Sequence, residues 1–331
     1  MENKIDKVLT SLIEKIYELN NKICNSTLKY KIIKDNEYLK NVRIFEDMIS
    51  TLASMDNIVN DDIKYYSYKT KINTNDLFEL TYDFYKKQDK KIFEIFEILF
   101  KNRHDNVFFT KNKFDKYFCG ATYQLLDNNI YIAMTKYNDI RDVTILIHEY
   151  GHAISIYLNG LDKSKNDSYE PFSEIESIFF ELLSFDYLDS IHLNNKDSFN
   201  SRKKFLIDLF CNATIIDNKF LIYENNNTFQ DNINNSYYQD IKNKFNINKN
   251  DLRFIYSSPV EIDLMYVVSS LYAMELYDIY LSNPEKAMEL YKKIITLNYP
   301  TYEEYINELS NLYLFPNETD TFIRTLKKDV K

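Results

Sequence analysis

The chain has 331 residues, 45% apolar and 27% charged, with a formal net charge of −9. It is long enough to bury a large core, and its three glycines and five prolines disfavour a turn-rich β architecture and favour long helices. The acidic balance, with no long basic stripe, argues against a nucleic-acid partner, and no stretch approaches the ~20 apolar residues that span a bilayer.

Taken from the N-terminus, residues 1–105 read as a helical lobe. Ile5, Leu9, Leu12, Ile16, Leu19 and Ile23 keep a three-to-four-residue spacing that suits core packing, and IFEIFEILF at 92–100 closes the zone. The first residues carry charges throughout and lack the apolar run of a signal peptide, so a cytoplasmic location is expected. Residues 106–137 form a strand zone, with 129–135 (NIYIAMT) read as a short strand in a small β-ribbon. Helices resume over 138–190 and 200–331. They are interrupted by Asn-rich sequence at 224–250, within which a helix is expected at about 234–245. Cys24, Cys119 and Cys211 have no C-x-x-C spacing and read as core thiols rather than a disulfide or metal framework.

The chemistry-bearing segment is His148-Glu149-Tyr150-Gly151-His152, an H-E-x-x-H pattern that holds two of the chain's four histidines. On a helix, residues i and i+4 share a face one turn apart, so both imidazoles can reach one metal ion. Glu149 stands beside the first of them, where the general base of a zinc hydrolase acts on a metal-activated water. A helix is predicted over 138–160, with Asn138 as N-cap, Asp139 and Asp142 in the first turn, and a stop at Asn159-Gly160. Ile140, Val143, Ile145, Leu146 and Ile147 make its first half apolar enough for burial. A mid-helix glycine costs about 1 kcal/mol relative to alanine, so Gly151 predicts another backbone or a substrate packed closely against that turn.

A site of this type needs a third protein ligand and an open fourth position. The acidic helix EPFSEIESIFFELL, residues 170–183, supplies the candidates Glu170, Glu174 and Glu176. Glu174, Ile178 and Glu181 share one face, while Glu176 points about 200° away from Glu174. The periodicity leaves this choice open, and an ordinary solvated acidic face is the competing interpretation. His104 and His192 sit in loop-like contexts and read as surface residues.

HEYGH followed by SEIESIFFE resembles the thimet oligopeptidase and oligoendopeptidase F family of metallopeptidases. The upstream segment at 119–149 is similar to that family's G-A-Y, P-Y-I-L-x-N-Y and D-V-x-x-L-x-H-E runs. SPVEIDLMYVVSSLYA at 258–273 is similar to its P-H-F-Y-x-x-F-Y-V-Y-x-Y-A segment, through Pro259 and Tyr266. The similarity runs from about residue 107 to 315.

This resemblance implies a mainly α, zincin-like metallopeptidase core with a small β-ribbon before the zinc helix and a substrate cleft between two helical lobes. It divides the chain into an N-terminal lobe at 1–105, shorter than the relatives' own, and a catalytic region at 106–331. It implies one Zn²⁺ per chain on His148, His152 and Glu174. Glu149 is then the base, and Glu181 accepts the free N–H of a ligand histidine. Tyr266 is the leading oxyanion donor, with Tyr256 and Tyr272 behind it. Tyr131 and Ala133, on the strand at 129–135, would bind an extended peptide along an open edge. Hydrolysis of internal peptide bonds in oligopeptides follows from these assignments.

Some positions depart from the family pattern. Val260 stands where a histidine is expected, Val268 and Ser270 where tyrosines are, and Ser155 where relatives often carry a further helix histidine. These departures keep two alternatives open: a catalytically reduced relative that binds peptides or a partner, and a zinc aminopeptidase.

Overall fold

The computed structural model describes residues 45, 49–50, 52–53, 68–110, 120–124, 129–159, 172–191, 195–224, 260–297, 301–312 and 314. The expected N-terminal stripe, the helix at 234–245, Cys24, Cys119, His192, Tyr256 and Gly160 lie outside them. Among the described residues the architecture is mainly α with one small sheet. Its elements are α1 (Thr74–Lys86), α2 (Lys90–Phe100), the single turn α3 (Arg103–Asn106), β1 (Val107–Thr110), β2 (Gly120–Gln124), β3 (Ile130–Thr135), α4 (Arg141–Asn159), α5 (Ile175–Ser190), α6 (Asn195–Glu224), α7 (Val260–Ser282), α8 (Pro284–Ile294) and α9 (Tyr302–Asn311). The packing resolves into two compact units. One is Met1–Tyr65 with Leu206–Val268; the other is Tyr66–Phe205 with Ser269–Lys331. All three strands and α1 to α5 fall in the second unit.

Local chemistry explains the element ends. Asn73 starts α1 by accepting hydrogen bonds from the Asn75 and Asp76 amides. Asp89 does the same for α2 through Lys91 and Ile92, each side chain satisfying helix N–H groups that lack an intrahelical partner. The apolar run at 92–100 buries Ile92, Ile95, Phe96 and Phe100, as its spacing predicts. Around it forms an aromatic core: Tyr85 stacks on Phe96 with centroids 4.2 Å apart, and Tyr150 of α4 meets Phe96 edge-on at 4.9 Å. Tyr85 Oη also donates to the carbonyl of Ile147 at 2.7 Å, which ties α1 to the turn of α4 that carries the first histidine.

The sheet order is β1-β3-β2, with β3 parallel to β1 and antiparallel to β2. All six residues of β3 are buried, as expected of a strand covered on both sides. The strand predicted at 129–135 is therefore present at 130–135 but central, and both its edges are paired. Among the described residues the outer strands of the sheet are instead β1 and β2.

The start of α4 also differs from expectation. Asn138 is not an N-cap; it takes a left-handed conformation with φ 57°, tolerated by Asn better than by most residues. The helix begins at Arg141, and the buried Asp142 carboxylate in its first turn accepts the Tyr137 and Asn138 amides at 2.8 Å each. The expectation of anionic groups at that terminus holds, with Asp142 turned back onto the incoming chain rather than toward solvent. Arg141 closes the corner through a bidentate pair with Asp139 at 2.9 and 2.7 Å.

Candidate active site

α4 packs on α5, β2 and β3, and Gly151 sets how closely the two helices approach. A Cβ on Gly151 would lie 2.8 Å from Ser177 Cα and 3.1 Å from the Glu176 carbonyl oxygen. The close neighbour predicted for this glycine is thus the backbone of α5. That approach sets the acidic start of α5 beside the histidine face of α4.

The result is a convergence of three donors. His148 Nε2 and His152 Nε2 each lie 3.1 Å from Glu174 Oε2, and one ligand atom from each residue lies within 4.8 Å of the others. Two imidazoles and one carboxylate form the donor set of a three-ligand zinc site, so the residues fit the ion. The imidazole side chains remain 14% and 19% exposed. Glu170 lies outside the described residues. Glu176 is buried and is not among the converging donors, and its charge adds to burial in raising the Tyr291 pKa. The solvated face considered for these acids is not what the chain builds.

Glu174 is fixed by backbone as much as by side chain. It occupies the N-cap position of α5, and its carbonyl accepts the first helical bond, from the Ile178 amide at 2.9 Å. Its amide donates to Ser269 Oγ of α7 at 3.1 Å, and Ser177 Oγ donates to its Oε2 at 3.0 Å. Two residues earlier, Phe172 is stacked on Tyr305 at 4.3 Å and meets Tyr272 edge-on at 5.8 Å. Ser269 and Ser177 were not picked out from the sequence, and no spacing rule identifies either. On the other side of the cluster, Glu181 Oε2 lies 3.1 Å from His148 Nδ1, the contact expected of a carboxylate that sets a histidine's tautomer.

Electrostatics follow the same arrangement. Burial works against a charge on His148, but hydrogen bonds and charges from Glu174 and Glu181 outweigh it and raise its pKa well above 6.5. His152 is likewise raised, with Glu174 overcoming burial. Burial pushes Glu174 upward, yet the two histidines hold its carboxyl far below the usual carboxylate range. Glu149 is raised above 4.5 because burial dominates over the lowering influence of His148, His152 and Thr122.

Glu149 is 4% exposed and lies under β2. Thr122 Oγ1 approaches its Oε2 at 2.7 Å and its backbone carbonyl at 3.0 Å. A Cβ on Gly120 would come within 2.7 Å of the Glu149 carboxyl carbon. The remaining candidates are placed as follows. Tyr131 and Ala133 are buried on the central strand β3, Tyr272 is buried in the aromatic stack, and Tyr266 is exposed on α7. Val268, Ser270 and Ser155 are buried. His104 is exposed on α3, with Phe78 edge-on to its ring at 5.3 Å.

The donor set is carried on one helix and the start of the next beside a small sheet, within a mainly helical fold. Solved structures share it. The chain matches a protein assigned as oligoendopeptidase F from Bacillus anthracis strain Ames at a TM-score of 0.60 and 15% identity, over 90% of this chain and 55% of that one. It matches PZ peptidase A, solved with an inhibitor, at 0.61 and 15%, over 91% and 57%. A protein assigned as a peptidase from Chlamydophila abortus matches at 0.61 and 13%, over 96% and 62%. The chain has the fold of the oligoendopeptidase F peptidases, and it spans less than two thirds of the length of each of these structures. No protein-family model matches the sequence, and no curated protein does. Among the described residues, no helix is long and apolar enough to cross a membrane.

Proposed function

We propose that this chain is a zinc metalloendopeptidase that hydrolyses internal peptide bonds of oligopeptides. The observation that carries this reading is the convergence of His148, His152 and Glu174 donors within 4.8 Å, with the buried Glu149 next to His148 on the same helix. The oligoendopeptidase F fold supports it independently of that geometry.

His148, His152 and Glu174 would hold one Zn²⁺, and Glu181 would keep the His148 Nδ1 proton in place so that Nε2 offers its lone pair. When bound, the ion supplies Lewis acidity, polarising the scissile carbonyl and making a water acidic enough to lose a proton near neutral pH. Glu149 takes that proton on its carboxylate and delivers it to the departing amine nitrogen, so base and acid are one residue in sequence. Tyr266, whose side chain is exposed on α7, keeps the oxyanion-donor role that the resemblance implies. The outer edge of β2 offers backbone N–H and C=O groups to an extended peptide. Binding through backbone groups makes the preference for substrate side chains weak.

Digestion of N-terminally blocked, internally quenched peptides tests the proposal. Internal cleavage that is abolished by chelation and restored by zinc is expected. A requirement for a free N-terminus would assign an aminopeptidase, and bound zinc without any cleavage would assign a peptide-binding relative. Glu149→Gln should retain zinc and lose most turnover, because the amide cannot accept the proton; near-normal cleavage by that variant sinks the mechanism. Metal analysis of Glu174→Ala checks the third ligand, since unchanged zinc content would exclude it.

A further inference from the structure

We propose that Thr122 is a positioning residue for Glu149, holding one carboxylate oxygen so that the group keeps the orientation in which it takes the proton of the reacting water. This rests on the peptidase reading above, and it concerns a residue that the H-E-x-x-H pattern does not contain. Residues two apart on a strand share a face, so Gly120 and Thr122 of β2 both present toward α4. The two are complementary. Gly120 leaves the space in which the Glu149 carboxyl sits, and Thr122 fills the adjacent position with a hydroxyl 2.7 Å from Oε2.

Glu149 is almost fully buried, where a carboxylate without a donor is costly. The Thr122 hydroxyl carries one proton, and its shorter contact is to the side chain rather than to the Glu149 backbone carbonyl at 3.0 Å. A carboxylate anchored at Oε2 is restrained about its last torsion, and Oε1 lies in the space that Gly120 leaves, so the group is held in one orientation from both sides. Misplacing a reacting group by about 1 Å lowers rate on the order of 10²-fold, which makes this anchor a determinant of turnover rather than of substrate or metal binding.

The competing role is structural, with the hydroxyl serving only the helix carbonyl. Two measurements on the zinc-loaded protein separate the roles. In peptide cleavage, Thr122→Val should lower kcat by about ten- to a hundredfold with KM within about twofold and zinc content unchanged. Thr122→Ser, which keeps the hydroxyl, should restore most of kcat. Wild-type kcat in Thr122→Val, or Thr122→Ser as impaired as Thr122→Val, overturns the inference. In thermal unfolding, the loss of midpoint caused by Thr122→Val should largely vanish in a Glu149→Ala background, as coupled partners require. A loss that persists there assigns the hydroxyl to the carbonyl and also overturns the inference. The unfolding cycle reads the contact without catalysis, so absence of cleavage by the wild-type protein would defeat the peptidase reading while this measurement still decides the role of Thr122.

Discussion

Glycine substitutions at two positions of this chain should fail in different ways, because their neighbours differ. A methyl group on Gly120 meets the end of the Glu149 side chain, which can move aside only by giving up its Thr122 contact. Gly120→Ala should therefore lose about as much unfolding midpoint as Thr122→Val and keep its zinc, yet lose at least about tenfold in kcat as the base is displaced. Calorimetry, metal analysis and peptide cleavage on one preparation check all three, and unimpaired cleavage would show that the seat is not tight. Of these two glycines, only Gly151 announced itself in the sequence, through its unfavourable place inside a helix. Gly120 gave no such signal, because the group it accommodates is 29 residues away and reaches it only in the folded chain.

The contact between α4 and α5 is the arrangement on which the donor cluster depends. Gly151→Ala adds about 1 kcal/mol of helix propensity, but its Cβ would press on the Ser177 Cα and the Glu176 carbonyl. Neither is a side chain that can rotate away. Overpacking of this kind costs about 1–3 kcal/mol, and parting the helices also moves Glu174 from the histidines. Gly151→Ala should unfold at lower temperature and bind zinc more weakly, so unchanged values of both would contradict the close approach. The strands show where pattern reading stops. Residues 130–135 were legible as a strand, but whether a strand is central or at an edge depends on which segments join it. β1 and β2 were not separately identified, so the exposed edge was expected on the wrong strand.

In the metal-free protein, the site couples protonation to stability of the whole chain. The His148 pKa is raised above its ordinary 6.5, so its contribution is complete below that pH and is lost as pH rises through the higher folded value. The Glu174 pKa is lowered from 4.5, so its contribution is present above that pH and is lost as acid protonates it. Metal-free protein should accordingly be most stable between about pH 4.5 and 6.5, with stability falling as pH rises from there through His148's raised pKa. Zinc reverses the upper limb, because imidazoles must be deprotonated to bind it. Zinc affinity should rise with pH, and binding near pH 7 should release protons, measurable as a dependence of the binding heat on buffer ionisation enthalpy. The unfolding midpoint should also climb with free zinc concentration, as ligation of the folded state alone requires. Absence of proton release would show that the histidines are already neutral.

The sequence by itself determined that the chain is mainly helical, that His148 and His152 share a helix face, and that Glu149 stands between them. These are consequences of composition and of a 3.6-residue period, which act locally and can be read in one dimension. It also confined the candidates for a third ligand to a short acidic segment, although periodicity left the choice among glutamates open and it was resemblance to a family that favoured Glu174. Tertiary structure alone decided how Glu174 is held, by Ser177, Ser269 and the Phe172 stack, and that Glu176 is buried and not among the donors. It also decided that Gly120 and Thr122 seat Glu149 beneath an outer strand of a three-stranded sheet. The physical reason is range: helix period and capping operate over three or four residues, whereas these contacts join positions 27 and 95 residues apart and arise only when α4, α5, α7 and β2 pack together.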